Sequence, residues 1–373
     1  MLVRWWNGIL RTVELLAAAC AVITLAACAP AAGVPALAPP VPSRAPAPAT
    51  AARAAPAQPS VEPATVQVGV TRTLSEAGQL IALDRGYFQE QGLAVEFTQF
   101  DSAGRMTPAL GSGQLDVGSG AISAGLFNAI GRGLAIKIVG PQARHDSGAS
   151  AVQFVVRKDL ADQIKDYADL RGRQIAIVAK GTSAHYGTAL ALARGGLSTD
   201  DVELTEMSFT DMISALANQA IDVANQAEPA STLAVDRGFG VKWREMADVR
   251  PGIQFTVVLF SPQFAAERAD VARRWMTAYL RGVRDYNDAF KKNRGRAAVV
   301  SILTRQLPVK DADLYDRMGF AYIDPDGRVD EASIADQLQW RVQQGMVTEP
   351  VDLKQAVDLS YADAAVQQLG RYE

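Results

Sequence analysis

Cysteine and histidine are almost absent from this chain. Among 373 residues there are two cysteines, Cys20 and Cys28, and two histidines, His145 and His185. That excludes a disulfide-rich scaffold, a Cys-based zinc cluster and a His-rich metal site, and no cofactor is expected. Positive charge is not in excess either: 37 Lys plus Arg meet 40 Asp plus Glu, a net charge of -3. No nucleic-acid partner is expected, since a phosphate backbone requires a basic face. Long apolar runs are missing as well. Past the first 30 residues nothing approaches the ~18–20 apolar residues of a membrane-spanning helix.

What is present starts with a targeting segment, residues 1–28. Arg4 and Arg11 give a positive start, and residues 15–27 are an apolar run broken only by Thr24 and Cys20. The run ends in small residues, as export signals do. Leu25-Ala26-Ala27-Cys28 resembles a bacterial lipobox, in which Cys28 is lipidated and becomes the first mature residue. Ala17-Ala18-Ala19-Cys20 lacks the large aliphatic residue three places before its Cys. The other reading is an ordinary secretory signal with incidental cysteines. Either way the body has no thiol. Residues 29–64 form an Ala/Pro-rich linker holding 10 of the 18 prolines. Such a segment favours extended polyproline II and acts as a semi-rigid spacer. Beyond it the chain has 33 basic and 38 acidic residues, a net charge of -5.

The body predicts an α/β fold of two doubly wound lobes around a central ligand cleft. Valine-rich alternation marks a strand at 66–70, and Ser75 then opens a helix that stops near Gly86. Strands follow at 93–97, 115–117 and 135–139, with a short helix at 107–114. The order returns as strand 174–179, helix 182–193, strand 202–207, helix 210–218 and strand 221–223. Residues 109–118 (A-L-G-S-G-Q-L-D-V-G) can be laid on 215–224 (A-L-A-N-Q-A-I-D-V-A), with Asp116 matching Asp222. Alternating strands and helices imply parallel sheets with ligands at the carboxyl ends of the strands. The β-rich runs 151–156 and 254–260 are expected to carry the chain between lobes. This divides the body into a first part of lobe 1 at 65–150, lobe 2 at 151–255, and a return with C-terminal helices at 256–373. Val271, Trp275, Tyr279, Val283 and Tyr286 recur at helical spacing and read as core.

Five phrases then point one way. Residues 84–96, D-R-G-Y-F-Q-E-Q-G-L-A-V-E, resemble the "GYF…GL.V" phrase near the start of type II periplasmic binding proteins. The branch they look most like holds aliphatic-sulfonate, nitrate and taurine binders and thiamine-pyrimidine-synthase-like proteins. Residues 113–118 (G-Q-L-D-V-G) are similar to its "GQ.DV" segment, and 169–176 (D-L-R-G-R-Q-I-A) to its "DL.GK.I" segment. Gly181-Thr182-Ser183-Ala184-His185 resembles its "GS.AH" loop, and 222–229 its "D.A…EP" segment. The phrases occur in family order across roughly 65–290. The resemblance implies a monomeric, bilobal solute receptor, not an enzyme, serving an ABC permease in the periplasm or on the outer face of the cytoplasmic membrane. It also implies two alternatives. One is a pyrimidine-precursor-binding or pyrimidine-synthase-like protein, though such enzymes carry a cysteine-rich iron site that this body lacks. The other is a ligand-sensing lipoprotein.

The candidate ligand residues lie where strands end and helices begin. Backbone amides and hydroxyls at Thr182 and Ser183 make an anion site at a helix start, with His185 in its first turn. Leu74, Ser75 and Glu76 hold the equivalent place on the first lobe, and Ser119 and Gly120 follow the 115–117 strand. Asn225 and Gln226 are the counterpart loop, with Glu228 just beyond. Asp116 and Asp222 read as turn and cap residues. Only Arg72 and Arg144 fall near these loops, so the expected ligand is a small organic monoanion, sulfonate-like or a carboxylate, rather than a bare, highly charged ion. If Cys28 is lipidated, the protein expressed in its host should enter the detergent phase of a Triton partition, and Cys28→Ser should move it to the aqueous phase. Equal partitioning of the two forms would show that no lipid is attached there.

Overall fold

The structure, a computed structural model, describes residues 62–100 and 103–373. The signal segment, Cys28 and all but the last residues of the linker lie outside the described residues. Ten strands form two sheets: β1 (Ala64–Val70), β2 (Leu93–Gln99), β3 (Val117–Ala121), β4 (Lys137–His145), β5 (Val152–Arg157), β6 (Gln174–Ile177), β7 (Glu203–Glu206), β8 (Val223–Ala227), β9 (Gly240–Glu245) and β10 (Ile253–Phe260). The first sheet runs β2-β1-β3-β10-β4 and the second β7-β6-β8-β5-β9. Helices cover both faces of each, so the molecule is a mixed α/β fold of two lobes built alike.

The expectation of parallel sheets needs correction. β1, β2 and β3 are parallel, as are β6, β7 and β8, but β10 runs antiparallel between β3 and β4, and β5 antiparallel between β8 and β9. These two strands are the runs expected to cross between lobes. Every residue of β10 is buried, and an apolar run of that kind reads alike whichever way it points. The chain crosses instead through the short stretches 146–151 and 250–252.

A matched set of polar contacts fixes the foot of each sheet. Asp116 accepts from the Gln67 amide at 2.9 Å, and Asp222 from the Gln174 amide at 3.0 Å. Their own amides donate back to the carbonyls of Gln67 and Gln174, at 2.9 Å in each case. Arg268 pairs with Asp116 at 2.9 Å, and Arg157 with Asp222 at 3.1 Å. Even the flanking pairs repeat: Gln67 donates to Glu96 at 2.8 Å, and Gln174 to Glu203 at 3.1 Å. Each aspartate closes a turn before its strand, so β3 and β8 start later than the sequence suggests. Ser119, Gly120, Asn225 and Gln226, expected on loops, therefore lie inside strands.

The long helix Ala269–Lys291 buries Trp275, Tyr279, Val283 and Tyr286, the apolar stripe expected to be core. Gly282 allows this helix to press on Ala77–Asp84, because a Cβ there would sit 2.0 Å from the Gly78 carbonyl oxygen. Asp116→Ala and Asp222→Ala should each lower the unfolding free energy by about 1–3 kcal/mol, since each leaves a strand amide without its side-chain acceptor and removes one partner of an arginine. The sites are in different lobes, so the double mutant should show the sum in urea titrations. A loss for only one of them would mean the clamps are not equivalent.

Candidate ligand-binding site

The first lobe presents its strand ends around a buried carboxylate. Thr73 precedes the turn Leu74–Glu76 and the helix Ala77–Asp84. Leu74 is buried in the apolar core, and Ser75, half-buried, has its hydroxyl 2.8 Å from that of Thr73. Glu76 is fully buried. It accepts from the Thr71 amide at 2.7 Å, the Thr71 hydroxyl at 3.0 Å, the Thr73 amide at 3.3 Å and the Ser119 hydroxyl at 2.8 Å. Burial still holds its pKa above the usual carboxylate value. Gly120 has φ +144°, and a Cβ there would lie 2.3 Å from that of Ala103, so only glycine fits beside Ser119.

On the second lobe the Thr182–His185 loop is held by protein groups. Thr182 donates to the Ala179 carbonyl at 2.7 Å and stands at the N-cap position of the helix Ser183–Arg194 without a side-chain capping bond. The Ser183 hydroxyl is buried, with the Gln337 side-chain oxygen at 2.9 Å and the Phe255 and Ile122 carbonyls at 3.0 and 3.3 Å. The His185 Nδ1 accepts from the Gly181 amide at 3.1 Å, and its ring stands edge-on to Trp340. Burial, with the Arg341 and Lys180 cations nearby, lowers its pKa to about 4. Sequence reasoning missed Arg341. This fully buried residue of the helix Glu331–Gln343 donates to the carbonyls of Gly181 (2.7 Å), Ile122 (3.0 Å) and Gln337 (2.7 Å). It ties both lobes to one helix, and the Ala124 amide reinforces the seam by donating to the Gly181 carbonyl at 2.9 Å.

The remaining expected residues separate by strand face. Asn225 turns to the Ser183–Arg194 helix, donating to Ala184 and Thr188. Gln226 faces the other way and donates to the Phe209 carbonyl at 2.9 Å. Glu228 is buried, accepting from the Thr232 amide and hydroxyl, from Lys242 at 2.9 Å and from the Gly319 amide at 3.1 Å. Gly319 belongs to the C-terminal return, and Leu233 of the helix Ala230–Asp236 packs on the first lobe's core, so the lobes meet here too.

A set of buried polar atoms without partners lies along these facing ends. On the first lobe they are Gln79 Oε1, both amide atoms of Gln142, His145 Nε2 and Thr256 Oγ1; on the second, Gln153 Oε1, Gln226 Oε1 and Ser231 Oγ. Gln153 stands directly opposite Gln226, Thr256 opposite Ala121 and Ala143, and Gln142 in the bulge beside it. Gln79 reaches Ser119 at 3.5 Å. Native proteins leave few such groups unpaired, so a gathering at one place needs a cause. Asn225, Trp275, Asn287 and Tyr315 carry one each as well, away from this grouping. Sequence reasoning named only Gln226 of this set as a ligand residue; Gln79, Gln153 and Thr256 sit within runs read as helix or strand, and Gln142, His145 and Ser231 lie outside every element it assigned. An open groove of about 600 Å³ between Leu338, Val342 and Leu353 contains none of them. Among the described residues no cluster of His, Cys, Asp and Glu could hold a metal ion, and no helix is long and apolar enough to cross a membrane.

Two like lobes with polar groups collected where their strand ends meet define a periplasmic-binding-protein fold. Residues 74–289, more than half of the chain, match the NMT1/THI5-like family, and the chain belongs to it. Over 144 residues it is 31% identical to a Brucella abortus (strain 2308) protein described as a binding protein, taking in 39% of this chain and 41% of that relative's length. The aliphatic sulphonate binding protein SsuA from Escherichia coli has a TM-score of 0.64 at 20% identity, over 81% of this chain and 100% of that one. The nitrate-binding protein NrtA from Synechocystis PCC 6803 has 0.68 at 15%, over 83% and 90%. The desulfurization enzyme DSZB shares the fold at 0.58 and 18%, over 82% and 99%. At such identities the structures speak for the fold alone.

The two histidines make a direct check of this site. His145 accepts from the Ala151 amide at 3.3 Å through Nδ1, and burial lowers its pKa to about 3. Both rings are neutral in the folded state and titrate near 6.5 when unfolded. Their support for folding is therefore complete above pH 6.5 and lost as pH falls toward 4. Glu76, with its raised value, works in the opposite sense, its cost shrinking as it protonates. Imidazole NMR signals should not titrate between pH 8 and about 5.5; a midpoint near 6.5 for either ring would place it in solvent.

Proposed function

We propose that this protein is a lipid-anchored extracytoplasmic receptor that holds a small solute between its lobes and presents it to an ABC permease. Family membership and the two-lobed fold support the class, and the buried unpartnered polar atoms on both facing strand ends carry the assignment of the site. The anchor rests on the lipobox at Cys28, followed by the Ala/Pro-rich segment 29–64. The lobes divide at the crossings 146–151 and 250–252. Solute capture would draw the two edges together around the ligand, as Glu228, Lys242 and the Arg317–Gly319 stretch already do at one rim. A catalytic role has little to work with. The body has no thiol, and Ser119, Ser183 and the Nδ1 atoms of both histidines are engaged by protein groups.

Expected anion recognition by Thr182 and Ser183 has to contend with how those hydroxyls are used. Their protons go to carbonyl and amide oxygens, that of Thr182 to the preceding turn and that of Ser183 to the lobe seam. The test of the receptor role is direct. Protein purified natively from its host should carry a solute at about one per chain that is released on unfolding, and cells lacking the protein should fail to accumulate that solute. Undiminished uptake in such cells would refute a transport role and leave a sensing one.

A further inference from the structure

Resting on that receptor reading, we infer that the solute is uncharged and rich in N–H or O–H donors, not an organic anion. The argument follows the direction of each buried amide. Gln153 donates its NH2 to the Ser150 carbonyl at 3.3 Å, Gln226 to Phe209 at 2.9 Å, and Gln79 to Ser119 at 3.5 Å. In all three the nitrogen is held by protein, and the atom left over is the carbonyl oxygen, an acceptor. Gln142 adds a fourth oxygen together with its own NH2. On the donor side stand that NH2, the His145 Nε2–H fixed by the Ala151 contact at Nδ1, and the hydroxyls of Ser231 and Thr256, which serve either way.

Charge points the same way. Two buried carboxylates, Glu76 and Glu228, flank these acceptors. Lys242 sits on Glu228, whereas the bonds shown for Glu76 come from Thr71, Thr73 and Ser119. Three arginines near these ends are used elsewhere. Arg72 donates to Gln306, Arg144 pairs with Asp146 at 2.8 Å, and Arg341 serves three carbonyls across the seam. Lys180 is exposed beside His185. An anion here would face oxygen lone pairs in a low-dielectric site. A polyol or an amide or amino compound would satisfy them.

The full-length protein, freed of bound solute by unfolding and refolding, would be titrated calorimetrically with four probes. Ethanesulfonate and benzoate are the anions, myo-inositol the polyol, and uracil the uncharged N–H compound. Binding of either uncharged probe and not of the anions is expected, and which of the two binds tells the polyol and N–H sources apart. Tighter binding of an anion overturns this inference and leaves the receptor reading standing. Should none of the four bind and the native protein carry no solute, the receptor reading fails, and the inference with it. Variants give a second readout. Gln142→Met and Thr256→Val remove polar atoms with no protein partner, so the unliganded protein should melt at the same temperature or higher, while affinity for the bound probe falls roughly tenfold. A drop in unliganded melting temperature with unchanged affinity would make these groups structural and the inference wrong.

Discussion

Where each central strand begins is decided by one carboxylate. Asp116 and Asp222 each hold an amide of the neighbouring parallel strand and an arginine from the antiparallel side. That sets the phase of β3 and β8, and a strand's phase sets everything along it, because one residue of slip sends every side chain to the opposite face. With the foot fixed at Asp116, Ser119 comes to lie under Glu76. With the foot fixed at Asp222, Gln226 faces Gln153 and Asn225 turns to the helix behind. The polar edge at the top of each lobe is thus laid out from the bottom.

The two meeting places between the lobes have different chemistry. At one, Arg341, Gln337, Ser183 and backbone carbonyls are mutually satisfied, and the guanidinium is spread over the rings of Phe127 and Trp340. Opening this side would break the bonds of Arg341 and Ser183 to Gly181, Ile122, Phe255 and Gln337 together, so it behaves as a fixed seam. At the other, amide oxygens and hydroxyls lack protein partners while Glu228 reaches across to Gly319. Unsatisfied groups favour change, and satisfied ones resist it.

Much of this could be read from the sequence. The two-lobed order, the aromatic stripe of the long helix and the equivalence of Asp116 with Asp222 all rest on local periodicity or on a repeated phrase. Strand direction could not be read, because a wholly buried run such as β10 has the same composition either way up. The short helices Ala124–Gly131 and Ala230–Asp236 and the strand Gly240–Glu245 also escaped. Their alanine, glycine and mixed charges give weak periodicity, and packing supplies what propensity does not. The glutamines were invisible as a group for a different reason. Gln79, Gln142, Gln153 and Gln226 are spread over some 150 residues; the pairing of β5 with β8 sets Gln153 opposite Gln226, while Gln79 stands on a helix and Gln142 on a strand of the other sheet.

The placement of β10 also dictates an order of events as the chain is made. The second sheet draws all five strands from one unbroken stretch, β5 to β9, and is complete once Glu245 has emerged. The first sheet cannot be. Its fourth strand has no partner until β10 arrives to bridge β3 and β4, more than a hundred residues later. Long-range closures of this kind are slow and leave sheet edges uncovered meanwhile. The second lobe is therefore the part able to fold first, while the lobe that starts the body must wait with β4 unpaired until the last strand passes between.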